Sequence, residues 1–228
     1  MDYSIVIPLY NEVDSLKIIL SEIKEAMKMC GGAYEVIFVN DGSTDGSGNL
    51  LNRWAREAPL IVKAIDLPQR QGQTQALRTG LAQAQGAIVI TLDADLQNDP
   101  ADIPRLILKM KKGYGCVCGW RKARQDTFLK AVFSKLGNIL QRMFTGLTIH
   151  DVACTLRAYK ASWAAKIPLN WEGQHRFIPL SLSLQGCRIG EIVAHHRERK
   201  FGYSKYSHKR IFKVVVDFFR ILKTRGKS

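Results

Sequence analysis

The 228-residue sequence has no apolar run of about 18 residues or more, the length a helix needs to cross a bilayer. Its opening, "MDYSIVIPLYNE", passes straight into an apolar strand pattern without the basic stretch that begins a secretory signal. Neither a membrane span nor a cleaved leader is expected. Cysteine is scarce. Cys30, Cys116, Cys118, Cys154 and Cys187 are scattered and odd in number, which argues against a disulfide framework and for a reducing cytoplasm. Cys116 and Cys118 form a C-x-C inside an apolar run. The two further ligands zinc would need are absent nearby, so both are expected as buried strand residues. The patterns G-x-x-x-x-G-K-[ST] and G-x-G-x-x-G are missing too, which disfavours phosphate-loop nucleotide hydrolysis and dinucleotide binding. Residues 115–228 are short of acid. They carry 6 Asp+Glu against 22 Lys+Arg, net +16, while residues 1–114 carry 14 against 12, net −2. One half of the chain is therefore suited to an anionic partner: nucleic acid, a phosphate ligand or an anionic membrane. A merely solvated basic surface is the plainer alternative.

Hydrophobic content of 46% and charged content of 24% are ordinary for a folded domain with a sizeable core. Apolar runs and helical periodicity alternate as far as residue 120. Strands are expected at 3–9, 34–39, 60–66, 86–97 and 115–120. Helices are expected at 14–30, 46–57, 73–85 and 101–112, with Gly31 and Gly32 stopping the first. This is the pattern of an α/β, doubly wound, mostly parallel sheet flanked by helices. The strands are continuously apolar, as strands covered on both faces are. After residue 120 the alternation stops. A basic amphipathic helix is expected over 127–145, helix over 172–186, an extended strand over 187–199, and a C-terminal basic amphipathic helix over 207–225. No internal repeat or low-complexity linker divides the chain, so one domain is expected.

Three polar clusters, at 10–12, 40–45 and 93–97, fall at C-terminal ends of expected strands, where open α/β sheets bind ligands. In "VITLDADLQNDP" (89–100), Asp93, Asp95, Gln97 and Asp99 occupy alternate positions. Oxygen ligands so spaced on an extended segment suit Mg²⁺ or Mn²⁺ bridging a diphosphate. An acidic loop capping the helix before Pro100 is the alternative. "NDGSTDGS" (40–47) reads as a turn with a helix cap, and Asp41 could equally bond a base or ribose. "RKFGYSKY" (199–206) offers Arg199, Lys200 and Lys205 around a turn at Gly202, fit for a phosphate or for solvent.

Taken in order, "VIPLYNE", "VNDGSTDGS", "LDADLQNDP", "HDVACTLRAYK", "HRFIP" and "RKFGYSKY" resemble family 2 glycosyltransferases of the GT-A fold, and more narrowly the polyprenyl-phosphate, dolichyl-phosphate mannose synthase-like branch. The resemblance covers about residues 3–206. It implies inverting, metal-dependent transfer of one sugar from a GDP- or UDP-linked donor to a polyprenyl phosphate. By match to the family, Pro8, Tyr10, Glu12 and Asp41 would line the nucleotide pocket. Asp93, Asp95 and Gln97 would surround Mg²⁺ or Mn²⁺ and the diphosphate. Arg121, Lys130, Ser134, Arg199 and Lys205 would meet the acceptor phosphate, and Asp93, Asp95 and Arg199 would be the catalytic set. Residues 1–206 would form the catalytic domain, with a nucleotide-sugar and metal half (1–120) and an acceptor half (121–206), followed by a membrane-surface helix at 207–228. The chain departs from the pattern at Lys130, where arginine is common, at Trp120 and at Asn40. It lacks the Q-x-x-R-W motif of processive polysaccharide synthases, and Arg157 stands in that region.

Acceptor chemistry agrees with this division. A sugar hydroxyl needs a general base, whereas a phosphate monoester, with a second pKa near 6, is already an anionic nucleophile. Catalysis then reduces to positioning and charge. The helices at 127–145 and 207–225 mix Phe, Leu and Val with Lys and Arg, which suits the surface of an anionic membrane or a packed helix with a solvated face. A cytoplasmic enzyme, peripheral at the cytoplasmic face and docked on lipid or on a separate membrane protein, is expected. A saccharide or other hydroxyl acceptor is the alternative within the family. A non-catalytic basic protein binding RNA or membrane is the alternative outside it, and nucleic-acid recognition motifs are absent. His150, His175, His195 and His196 are further candidates, and His175, in "HRFIP", is read either as near the acceptor loop or as packing.

Overall fold

The computed structural model describes residues 1–122, 147–198, 216–218 and 220–221. The apolar runs form β1 (Tyr3–Leu9), β2 (Tyr34–Asn40), β3 (Val62–Asp66), β4 (Ile88–Thr91) and β5 (Cys116–Trp120). Helices α1 (Val13–Cys30), α2 (Ser47–Glu57), α3 (Gln73–Gln83) and α4 (Ile103–Met110) connect them. Then follow β6 (Arg157–Lys160), α5 (Ala161–Ala164), α6 (Ile178–Leu184) and β7 (Ile189–Val193). The seven strands lie in the order β3-β2-β1-β4-β6-β5-β7, and only β6 runs antiparallel to its neighbours.

Both faces of the sheet are covered. Ile5, Ile7, Val36 and Phe38 pack into one apolar layer with Leu16, Ile19 and Ile23 of α1, while Val6, Ile37, Val39 and Val89 pack into the other with Ala76 and Leu77 of α3. Each such side chain contributes about 1.5–3 kcal/mol when removed from water. Helix α3 reaches the sheet because of Gly80, where a Cβ would collide with Val6 and Val39. Helix α1 begins where the Asp45 carboxylate accepts from the Val13 N–H, 3.0 Å away, and stops at Gly31 and Gly32, both with positive φ.

Two expected strands are shorter than their sequence runs. The run over 86–97 pairs only to Thr91, and the run over 187–199 only to Val193, with one further bridge between His196 and Asn98. The unforeseen strand is β6, four residues of "RAYK" inserted between β4 and β5. The expected helix at 127–145 lies outside the described residues. The described C-terminal helical turn buries Ile221 against Phe177 and Leu180, and Arg220 stacks over Trp171 at 4.3 Å. Part of that helix therefore packs on the body, while Val216 remains exposed. No described helix is long and apolar enough to cross a membrane.

Candidate active site

Beyond the pair Val6–Thr91, β4 separates from β1. Pro8, which has no N–H to offer, occupies the next β1 position facing that side. The sheet therefore opens at the C-terminal ends of β1 and β4, the switch point where such sheets bind ligands. A cleft of about 250 Å³ fills the opening. Its lining includes Pro8, Tyr10, Glu12, Asp41, Asp93, Asp95, Gln97 and Arg121, so every sequence-predicted site residue that is described reaches this one cleft. Lys130, Ser134, Arg199 and Lys205 lie outside the described residues.

The acidic loop divides its work. Asp99 accepts from the Ala101 N–H at 2.9 Å and caps the 3-10 turn at Pro100–Asp102. Leu96 takes a left-handed φ of 62° and breaks the extended course, yet Asp95 and Gln97 on either side of it both line the cleft. Asp93 is fixed by two donors: Gln73 Nε2 at 2.7 Å from Oδ1 and Thr155 Oγ1 at 2.9 Å from Oδ2. Thr155 is itself fixed by Asn98 Nδ2 at 2.8 Å. Burial, and then the adjacent Asp95 carboxylate, push the Asp93 carboxyl up to about 6, against the pull of the Thr155 hydroxyl and of Arg121 and Arg157.

Asp41 does not stand open in the pocket. Its carboxylate accepts from the N–H groups of Gln71 (2.6 Å) and Gly72 (2.9 Å), just before α3, and so shapes the loop that carries Arg70 over the Tyr10 ring at 4.2 Å. Gly72 has φ +98°, and a Cβ there would sit 2.5 Å from a Glu172 carboxylate oxygen. Asn40 donates to Asp66 Oδ1 at 2.7 Å, a bond that an aspartate in its place could not donate.

The second half closes over the first at Thr74. The Thr74 N–H donates to Glu172, its hydroxyl oxygen accepts from the Gly173 N–H at 2.9 Å, and that oxygen lies 2.7 Å from His175 Nδ1. Beneath this junction Arg157 is buried, donating to the carbonyls of His175 (2.9 Å) and Val152 (2.8 Å). It stays protonated, its pKa raised although burial opposes the charge, through the Tyr159 and Cys118 groups beside it. At the rim, Arg121 meets Asp151 bidentately, Nε to Oδ2 at 2.7 Å and Nη2 to Oδ1 at 3.0 Å.

Residues 4–167 match the family described as glycosyl transferase family 2. The chain belongs to glycosyltransferase family 2. It is 38% identical over 221 residues to an undecaprenyl-phosphate 4-deoxy-4-formamido-L-arabinose transferase of Yersinia enterocolitica, and 39% identical to the protein of the same name from Yersinia pestis. Each alignment covers 97% of this chain and 67% of the relative. Among solved structures, it resembles glucosyl-3-phosphoglycerate synthase of Mycobacterium tuberculosis in complex with Mn²⁺ and UDP, with a TM-score of 0.70, 18% identity, and coverage of 98% of this chain and 78% of that one. A mannosyltransferase of Pyrobaculum calidifontis in complex with GDP-Man and Mn²⁺ gives a TM-score of 0.64 at 22% identity, covering 88% and 58%. The GT-A fold of this glycosyltransferase is thereby shown.

Several cleft residues carried no sequence expectation: Arg70, Gln73, Thr155, Glu172 and Arg176. Thr155 and Arg176 lie inside recognised segments, but their types alone do not distinguish a site from a surface. Among the described residues no three His, Cys, Asp or Glu side chains converge as a metal cluster. The buried Asp95 carboxylate, the half-buried Asp93 carboxylate and the Gln97 amide are hard oxygen donors facing one cleft, a set that fits a cation keeping waters and substrate phosphates.

Proposed function

We propose that this glycosyltransferase moves one sugar, with inversion, from a nucleotide-linked donor to a polyprenyl phosphate. The observation that carries the reading is the cleft itself, lined both by Asp93, Asp95 and Gln97 and by Arg121, which Asp151 holds. The curated relatives, named as undecaprenyl-phosphate sugar transferases, support the acceptor class. Asp93, Asp95 and Gln97 would hold Mg²⁺ or Mn²⁺, which supplies charge neutralisation for the departing nucleoside diphosphate. Pro8, Tyr10, Glu12 and the loop shaped by Asp41 would seat the nucleoside. Arg121, with Lys130, Ser134, Arg199 and Lys205, would orient the acceptor phosphate. A phosphate oxygen attacks the anomeric carbon as the bond to the diphosphate oxygen breaks, and no proton has to be removed first. The net +16 of residues 115–228 suits a peripheral place on an anionic membrane at the cytoplasmic face.

One observation favours a hydroxyl acceptor as the second reading. Glu172 brings a carboxylate from the acceptor half into the cleft, where a general base could act. The test compares undecaprenyl phosphate with undecaprenol and free saccharides as acceptors, using wild type and Glu172→Gln. Transfer that requires the phosphate and loses less than about tenfold in Glu172→Gln supports the proposal. Transfer to a hydroxyl that falls by about 10²–10⁴ in Glu172→Gln supports the alternative.

A further inference from the structure

Asp151 follows β5 by some thirty residues and sits on an irregular segment. Glu191, in the middle of edge strand β7, bonds that segment. One carboxylate oxygen accepts from two successive backbone N–H groups, His150 at 2.9 Å and Asp151 at 3.1 Å. The other oxygen lies 2.7 Å from His150 Nδ1. Three bonds from a side chain that is only 13% exposed fix one turn of backbone. The His150 ring is also stacked on Trp120, centroids 4.1 Å apart and planes 16° from parallel. Trp120 immediately precedes Arg121 and pairs with Val193, two residues beyond Glu191, across the β5–β7 register. Backbone and side chain of residue 150 are therefore tied to β5, which Arg121 follows, and to its neighbour β7.

We propose that Glu191 is a positioning residue for the acceptor: it clamps the 150–151 turn so that Asp151 presents the Arg121 guanidinium to the acceptor phosphate in one orientation. The inference rests on the polyprenyl-phosphate reading. Bidentate Arg–carboxylate pairs fix the plane of the guanidinium, and anion recognition by that group is directional. With the clamp removed, Asp151 gains freedom and the arginine no longer waits in the binding orientation. The loss appears in acceptor affinity, because among Arg121, Asp151, His150 and Glu191 it is Arg121 that lines the cleft.

The clamp makes a specific demand on chemistry. Glutamine at 191 keeps an amide oxygen for the two backbone N–H groups and offers an N–H to a neutral His150 ring, so it preserves the turn. Alanine preserves nothing. The experiment measures binding of geranyl phosphate, a short soluble isoprenyl phosphate, by calorimetry, and acceptor KM, donor KM and kcat with undecaprenyl phosphate. Proteins are wild type, Glu191→Ala, Glu191→Gln, Asp151→Ala and Glu191→Ala/Asp151→Ala, with thermal unfolding as a control for folding. The expected result for Glu191→Ala is an acceptor Kd and KM raised roughly ten- to a hundredfold with donor KM unchanged. Glu191→Gln recovers most of this loss. The double variant is no worse than Asp151→Ala, because Glu191 acts through Asp151. Equal acceptor affinity in wild type and Glu191→Ala, or fully additive losses in the double variant, overturns the proposal while the acceptor reading stands. Wild type that binds no isoprenyl phosphate overturns the acceptor reading and the clamp with it.

Discussion

Replacing Asp93 by asparagine should make the protein more stable and less active. Asp93 is half-buried, adjacent to Asp95, and raised from an ordinary 3.8 to about 6. A folded-state pKa above the unfolded one means that the native protein binds the extra proton between about pH 4 and 6, so stability falls as pH rises through that window. The shift of about 2 units corresponds to roughly 3 kcal/mol withheld from the native state above pH 6. Asparagine keeps the Gln73 bond and can donate to Thr155 Oγ1, at a cost of about 1 kcal/mol for imperfect pairing. The net gain at pH 8 is then about 1–2 kcal/mol, a melting temperature higher by roughly 3–7 °C in a chain of this size. The assay is thermal unfolding of wild type and Asp93→Asn with EDTA present, at pH 8 and at pH 4.5. The advantage should be present at pH 8 and absent at pH 4.5, where Asp93 is protonated. A variant less stable than wild type at pH 8, or an advantage that does not depend on pH, refutes the reasoning.

Two further outcomes follow from packing and from buried charge. Gly80→Ala should destabilise by about 1–3 kcal/mol in urea unfolding, because the new methyl meets Val6 and Val39 of two central strands rather than a flexible side-chain tip. Arg157→Met should cost about 2–5 kcal/mol by leaving the His175 and Val152 carbonyls without their donor, and should move the acid limb of the pH–rate profile upward by removing a cation that lowers the Asp93 pKa.

The first half of the molecule was legible because its signals are local. Five apolar runs, three of them ending in polar clusters, point to one end of a parallel sheet; there the structure brings Asp41, Asp93, Asp95 and Gln97 to one cleft with Pro8, Tyr10, Glu12 and Arg121, which the family resemblance supplied. Strand lengths were less legible. The apolar and polar alternation continues through Gln97, yet pairing stops at Thr91 because β1 has no further N–H to give at Pro8 and the chain turns at Leu96. Strand β6 was hidden by its brevity and by a charged first residue, since a buried arginine bonded to two carbonyls has no pattern in sequence. Thr74, Thr155, Glu172 and Glu191 were invisible for a related reason. Each acts through a partner about 40 to 100 residues away, and spacing carries no trace of such a pairing.

The most direct test of the central claim is transfer of radiolabelled sugar into an organic-extractable lipid. The 228-residue chain is incubated with undecaprenyl phosphate, a panel of GDP- and UDP-sugars including a 4-deoxy-4-formamido pentose, and Mg²⁺ or Mn²⁺ or a chelator. Label should enter the lipid phase from at least one donor, vanish with the chelator, and vanish in Asp95→Ala. Label that appears only on a water-soluble acceptor, or lipid labelling indifferent to both chelator and Asp95→Ala, contradicts the claim.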